Sequence, residues 1–245
     1  MRDFAGKRYW IVGASDGLGA ALAHKLSARG AVLVLSARSE DKLAALAADL
    51  PGPSEVRVMD VTDDGSVAEA AGIVGPVDGL VYLAGVYWPM RAQDWVAEQA
   101  TAMADANFTG LVRVLGQVVP DMVARDDGHI VVTGSLSGFR GLPGTIGYVA
   151  SKAGVMALAE SLHADLHRSG VQVQLANPGF IRTRLTEKND FSMPFLMDPE
   201  EAAEIILRHM GTRRFARSFP TLFGWIFRLS RLLPESVYVR IFARP

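Results

Sequence analysis

The chain contains no cysteine in 245 residues, which excludes disulfides and thiolate metal sites. It has no apolar run of about eighteen residues, so no segment reads as membrane-spanning. It has almost no net charge, −1 with histidine neutral, which argues against a global electrostatic grip on nucleic acid. It shows no repeat, no low-complexity stretch and no linker rich in Pro, Gly or Ser. Its first residues, Met1 to Arg8, lack the apolar core of a secretory signal. Acidic residues are missing from one place in particular: none occurs between Glu204 and Glu235. These absences leave a cytoplasmic globular protein as the expectation. A hydrophobic fraction of 49% against 21% charged residues is ample for a large core.

What is present is alternation. Short apolar runs at Tyr9–Val12, Ala31–Ser36, Val56–Met59, Gly79–Leu83, His129–Thr133 and Val171–Ala176 read as strands. Helical patterns separate them, and a last strand falls near Arg213–Pro220. Continuous apolar strands divided by helices predict a parallel sheet covered on both faces. The fold expected is therefore α/β: one doubly wound, Rossmann-like domain of about seven strands spanning 1–245. The long helix over Trp95–Arg125 has a weak spot at Asp105-Ala106-Asn107.

Between the first strand and first helix lies Gly13-Ala14-Ser15-Asp16-Gly17-Leu18-Gly19. Glycines let the backbone approach a pyrophosphate, and a helix N-terminus offers free N–H groups and the positive end of its dipole. The second strand ends Ser36-Ala37-Arg38, with no acid to bind a ribose 2′-hydroxyl. A guanidinium suits a 2′-phosphate, so NADP(H) is expected over NAD(H).

Tyr148 and Lys152 stand four apart at the head of a helical pattern, which puts phenol and ammonium on one face. An ammonium beside a phenol is expected to lower its pKa and fit it for acid–base work. Ser135 and Ser137 both offer hydroxyls nearby. His163 and His167 share a helix face without a third ligand, so no metal site is expected.

Taken in order, these motifs resemble the short-chain dehydrogenase/reductase family over about Lys7 to Thr183. The glycine loop comes first, then Asp60-Val61, Leu83-Ala84-Gly85, the set Asn107, Ser135, Tyr148 and Lys152, and finally Asn177-Pro178-Gly179-Phe180-Ile181-Arg182-Thr183. The resemblance implies Tyr148 as acid–base residue and Ser135, thirteen before it, as the hydroxyl that holds the substrate oxygen. It implies Lys152 on the nicotinamide ribose and Asn107 placing a water that links Lys152 to solvent. Gly13, Ser15, Asp16, Gly17, Leu18, Gly19, Arg38, Asp60, Val61, Ala84, Gly85, Tyr148, Lys152, Pro178, Gly179, Ile181 and Thr183 would hold the dinucleotide, with Asp60-Val61 framing the adenine.

Two positions depart from the family's pattern. Val12 stands where Thr is usual, and Tyr82-Leu83 where Asn is usual. Both read as packing put in place of a structural hydrogen bond. Beyond the core at 1–183, residues 184–211 read as a substrate lid and helix, the lid covering Leu185–Met197. Tyr87, Trp88, Ser137, Phe139, Leu142 and Phe180 are further wall candidates. Residues 212–245 form an atypical basic, aromatic tail in place of a glycine-rich acidic close. That tail suits a lid, a contact between copies or a peripheral membrane surface. The function expected is hydride transfer between NADP(H) and an apolar ketone or secondary alcohol, by a homo-oligomer with no nucleic-acid partner. The alternatives are a non-catalytic NADP(H)-binding regulatory or scaffold protein and a 3-oxoacyl thioester reductase.

Overall fold

The computed structural model of the chain describes residues 2–189 and 191–242. Strands β1 (Arg8–Val12), β2 (Val32–Ala37), β3 (Ser54–Val58), β4 (Gly79–Tyr82), β5 (Gly128–Thr133), β6 (Val171–Pro178) and β7 (Ala216–Phe219) form one sheet in the order β3-β2-β1-β4-β5-β6-β7. Every pairing is parallel. The expected fold class is the one found.

Period-two alternation decides which strand residue meets which layer. Tyr9, Ile11, Leu33 and Leu35 face helices α1 (Gly17–Ser27), α2 (Glu40–Asp49) and α7 (Pro199–Met210). Trp10, Val12, Val34 and Leu80 face α3 (Asp64–Val74), α5 (Gly110–Ala124) and α6 (Ile146–Leu166). Both faces are covered, so β4 and β5 are buried along their whole length. Each fully buried large side chain contributes about 1.5–3 kcal/mol, and the two clusters together supply the driving force for the fold.

The predicted weak spot in the Trp95–Arg125 helix is real. A helix α4 (Ala97–Ala104) runs into a widened π-type turn over Asp105–Thr109 and continues as α5. The tail forms two helices, α8 (Thr221–Ser230) and α9 (Glu235–Phe242). Met1, Asp190 of the predicted lid and residues 243–245 of the predicted tail lie outside the described residues.

A buried polar chain pins the end of the sheet opposite the strand carboxyl termini. The Tyr9 phenol bonds His129 Nδ1 at 2.8 Å, and His129 Nε2 bonds Gln174 Oε1 at 2.8 Å. The Gln174 amide then donates to the carbonyls of His209 and Arg214, each at 2.9 Å. Because Oε1 can only accept, His129 carries its proton on Nε2 and accepts from Tyr9. Burial pushes the His129 pKa down to about 3, so the ring is neutral in the folded chain.

A folded pKa below the ordinary value means the unfolded chain binds the extra proton. Stability from this residue is complete above about pH 6.5 and falls as pH drops toward 3, by up to about 1.4 kcal/mol per pH unit. Imidazole NMR at pH 5 checks this: His129 is expected to be neutral, and a protonated His129 in folded protein contradicts it.

Candidate active site

The chain reverses its direction of travel across the sheet between β1 and β4, and a cleft of about 340 Å³ opens there at the strand carboxyl ends. Every residue expected to hold a dinucleotide lines this cleft. Ser135 lines it too, whereas Asn107 sits behind it, fully buried. Ser39 and Thr62 are also on its walls and had no place in the sequence reading, and Thr186, read there only as part of the lid, joins them. Ser39 was open to inference as the N-cap position after Arg38; Thr186 was not, because only tertiary folding brings it there.

The glycine loop is shaped by backbone contact. Gly13 has φ of 93°, and a Cβ there would lie 2.5 Å from the Ala84 backbone nitrogen. Gly17, at φ of 52°, leaves room for the Thr183 methyl, which a Cβ would meet at 2.9 Å. The first βα turn is thus locked to both the β4 end and the Pro178–Thr183 segment. Asp16 caps α1 through the Gly17 N–H at 2.7 Å. Partial burial pushes its pKa up, but Lys42, Arg184 and the Gly17 N–H outweigh that and hold it below the usual carboxylate range. Asp60 is held low in the same way: burial opposes, while two bonds from Thr62 and the charges of Arg38 and Arg113 prevail.

At the other end of the cleft, Ser135, Tyr148 and Lys152 come together. Ser135 precedes a short turn at Leu136–Phe139, and its oxygen accepts from the Ser137 N–H at 3.2 Å. Its hydroxyl also lies 2.9 Å from that of Ser137. Ser135, not Ser137, lines the cleft, and its hydroxyl is near enough to the Tyr148 phenol to act on its pKa. Lys152 is buried, and its Nζ donates to the Thr133 carbonyl at 2.8 Å.

The expected depression of the Tyr148 pKa is corrected here. Lys152 Nζ stands 5.8 Å from the centre of the phenol ring and spends a bond on Thr133. Burial pushes the Tyr148 phenol up to about 12, the Ser135 hydroxyl only partly opposing it. Burial likewise brings Lys152 down to about 8. Desolvation of both groups outweighs their mutual attraction at this separation.

Asn107 occupies the widened turn. Its amide donates to the Val86 carbonyl and the Ser151 hydroxyl, each at 3.0 Å, and its Oδ1 accepts from the Val86 N–H at 2.7 Å. The side chain ties the turn to the segment after β4 and to α6, one residue before Lys152.

The reading of Tyr82 as packing in place of a hydrogen bond is also corrected. Its ring is buried, but its hydroxyl donates to the Ala106 carbonyl at 2.7 Å. The Gly110 N–H reaches back five residues to Asp105, so the usual helical donor to Ala106 is diverted and the phenol replaces it. Arg113 holds Asp105 from the other side at 2.5 Å. At Val12 the side chain is buried against the same core, as expected.

The walls converge from separate segments. Tyr87 packs edge-on to Tyr148, with ring centres 5.1 Å apart. Phe180 meets Phe191 at 5.9 Å and Phe223 at 6.0 Å, and Phe195 meets Phe223 at 5.6 Å. The predicted lid is fastened at its end by reciprocal backbone bonds, Met197 to Phe180 and Arg182 to Met197. His163 stacks on Phe215.

The residues present suit a nicotinamide dinucleotide. A backbone cradle that a Cβ would fill lies at Gly13. Near Lys152, the buried Thr133 Oγ1 and Asn177 Oδ1 have no partner among the described residues.

The known proteins most like this one agree with the geometry. Residues 7–192 match the short chain dehydrogenase family. An uncharacterized oxidoreductase of Myxococcus xanthus is 34% identical over 245 residues, covering 97% of each chain. Another, from Staphylococcus epidermidis, is 33% identical over 201 residues, or 80% of this chain and 87% of its own. Among solved structures, a short chain dehydrogenase/reductase family protein is 27% identical with a TM-score of 0.82, covering 89% of this chain and 97% of that one. A short-chain dehydrogenase from Streptomyces avermitilis, 24% identical, shares the fold at a TM-score of 0.84 over 97% of this chain and 96% of its own. The chain belongs to the short-chain dehydrogenase/reductase family. It is an oxidoreductase of that family, whose members use NAD(P).

Replacing Tyr82 by Phe strips the Ala106 carbonyl of its donor inside the core. Urea unfolding is expected to show a loss of about 1–3 kcal/mol, with dinucleotide affinity unchanged because Tyr82 does not line the cleft. An unaltered stability would mean that the widened turn does not depend on this bond.

Proposed function

We propose that this short-chain dehydrogenase/reductase is an NADPH-dependent carbonyl reductase acting on an apolar ketone, or its reverse on a secondary alcohol. The observation that carries the reading is the meeting of Ser135, Tyr148 and Lys152 at the cleft end, beside an aromatic wall. A bound nicotinamide dinucleotide supplies the hydride. In reduction, the Ser135 hydroxyl holds the substrate oxygen and steadies the charge that grows on it. Tyr148 gives its proton to that oxygen. A phenol lifted to about 12 is fully protonated at neutral pH, which suits the donor role. The Lys152 ammonium then offsets the negative charge left on the phenol oxygen. Asn107 fixes the position of α6 through Ser151, and the second lone pair of its Oδ1 remains for a water leading toward Lys152. In this reading the Ile181 backbone and the Thr183 hydroxyl hold the carboxamide, and both residues line the cleft.

Arg38 favours NADPH. It lines the cleft beside Ser39, no acidic side chain takes its guanidinium in an ion pair among the described residues, and its charge reaches Asp60. A 2′-phosphate would receive a charge-assisted fork there. The wall of Phe180, Phe191, Phe195 and Tyr87 supports an apolar substrate over a polyol. Assembly as a homo-oligomer is part of the proposal, and exposed Trp95, Val96 and Val112 provide apolar surface for it.

The test is a screen of ketones, secondary alcohols and 3-oxoacyl thioesters followed at the nicotinamide absorbance. Turnover of apolar ketones is expected, with Tyr148→Phe lowering kcat by at least about 10²–10⁴-fold while NADPH binding is retained. Full activity in that variant, or NADPH binding with no turnover of any class, overturns the reading; the second result favours a binding protein. Arg38→Leu is expected to cut the preference for NADPH over NADH by about ten- to hundredfold, the scale of one charge-assisted contact. Equal affinity for both dinucleotides in the native protein contradicts the assignment.

A further inference from the structure

Helix α8 has two apolar faces, and only one of them is used. Phe223 and Phe227 turn inward, with their rings 5.0 Å apart, and Phe223 joins the wall at Phe180 and Phe195. Gly224 and Ser230 are buried on the same side. Arg140 fastens the helix end by donating to the Ser230 and Leu233 carbonyls, the latter at 3.1 Å, and its guanidinium lies 3.8 Å over the Tyr238 ring of α9. The helix is therefore already docked. Its other face is a stripe at helical spacing, Leu222, Trp225, Ile226 and Leu229, continued by Leu232, and these residues are 48–79% exposed. Large apolar side chains gathered in one place mark a contact.

The charge around the stripe says what kind. Arg228 on α8 and Arg231 at its end flank the stripe, in a stretch of sequence without a single carboxylate. Both are exposed, and neither is in an ion pair among the described residues. A second copy meeting this face across a two-fold axis would bring Arg228 and Arg231 of one copy against those of the other. An anionic lipid surface matches both features at once: Trp and aliphatic side chains enter the acyl boundary while arginines meet the headgroups. We propose that the outer face of α8, with the Leu232 turn, seats the protein on an anionic bilayer. The proposal concerns docking and stands apart from the reaction.

Flotation of the full chain with vesicles tests it. The protein is expected to rise with vesicles of two parts phosphatidylcholine to one part phosphatidylglycerol, to stay down with phosphatidylcholine alone, and to be released by high salt. The double variant Trp225→Ser/Leu229→Ser should lose flotation while keeping its melting temperature and NADPH binding. Arg228→Gln/Arg231→Gln, which leaves the apolar stripe intact, should weaken partitioning about thirtyfold, at about 1 kcal/mol per cation. Failure of the native chain to float with anionic vesicles overturns the proposal, as does undiminished flotation of both variants. So does a fall in oligomeric mass of the Trp225/Leu229 variant with flotation unchanged, which makes the stripe a contact between copies.

Discussion

The site rests on a buried ammonium. Lys152 is out of water yet has one acceptor among the described residues, the Thr133 carbonyl at the end of β5. An ammonium carries three donors, and a buried charge with too few partners is costly. The fold holds it there by three means. The β5 strand ends where its carbonyl can accept, Asn107 braces Ser151 on the preceding position of α6, and Gly85 leaves the space between: a Cβ there would lie 3.1 Å from Asn107 Oδ1 and 3.9 Å from Lys152 Nζ. The remaining donors are available to the cleft. A group that brings hydroxyls to this ammonium restores the solvation that folding removed, so the cost of burying Lys152 becomes selectivity for such a ligand. It also explains the pKa directions, because the same lack of water raises the Tyr148 phenol and lowers Lys152.

Much of this was legible in the sequence. Spacing placed Tyr148 and Lys152 on one helix face, and every dinucleotide contact inferred from the motifs lines a single cleft. Local patterns carry that information because glycine loops, strand ends and i,i+4 pairs are short-range features. What spacing could not supply was environment. The sign of the Tyr148 shift depends on how much water reaches two groups 5.8 Å from phenol ring to ammonium, and only the packed structure fixes that. The same holds for Tyr82. An apolar-looking replacement proved to carry its hydrogen bond at the tip of a long ring, reaching a carbonyl 24 positions away. The weak spot at Asp105–Asn107 was readable as a break, but not as a turn held by Tyr82, Arg113 and Asn107 together.

The aromatic wall shows the other limit. Phe180 follows β6, Phe191 and Phe195 belong to the lid, and Phe223 comes from the tail. Each was visible as an apolar residue in a loop or an amphipathic helix. Their convergence depends on the backbone bonds between Phe180, Arg182 and Met197 and on Arg140 fastening the end of α8. The tail is thus neither solely a lid nor solely a contact surface. One side of α8 packs through Phe223 on the Phe180 and Phe195 rings, next to the Gly179–Ile181 cleft wall, and the other stays in solvent.

The adenosine end raises a question of charge. A carboxylate in the glycine loop, at Asp16, stands close to where pyrophosphate would lie, and like charges there oppose binding. The structure disposes of that charge internally. Lys42 Nζ lies 3.0 Å and Arg184 Nε 2.6 Å from Asp16 Oδ2, and the carboxylate also caps α1. Two cations spent on one anion leave the loop net positive, and the cap directs the helix N-terminus into the cleft. Arg38 is outside this arrangement. No carboxylate among the described residues takes it in an ion pair, and Ser39 stands next to it at the start of α2. Asp16 therefore occupies the nearby cations Lys42 and Arg184, and under the proposed NADPH preference Arg38 is the guanidinium left over to tell a 2′-phosphate from a 2′-hydroxyl.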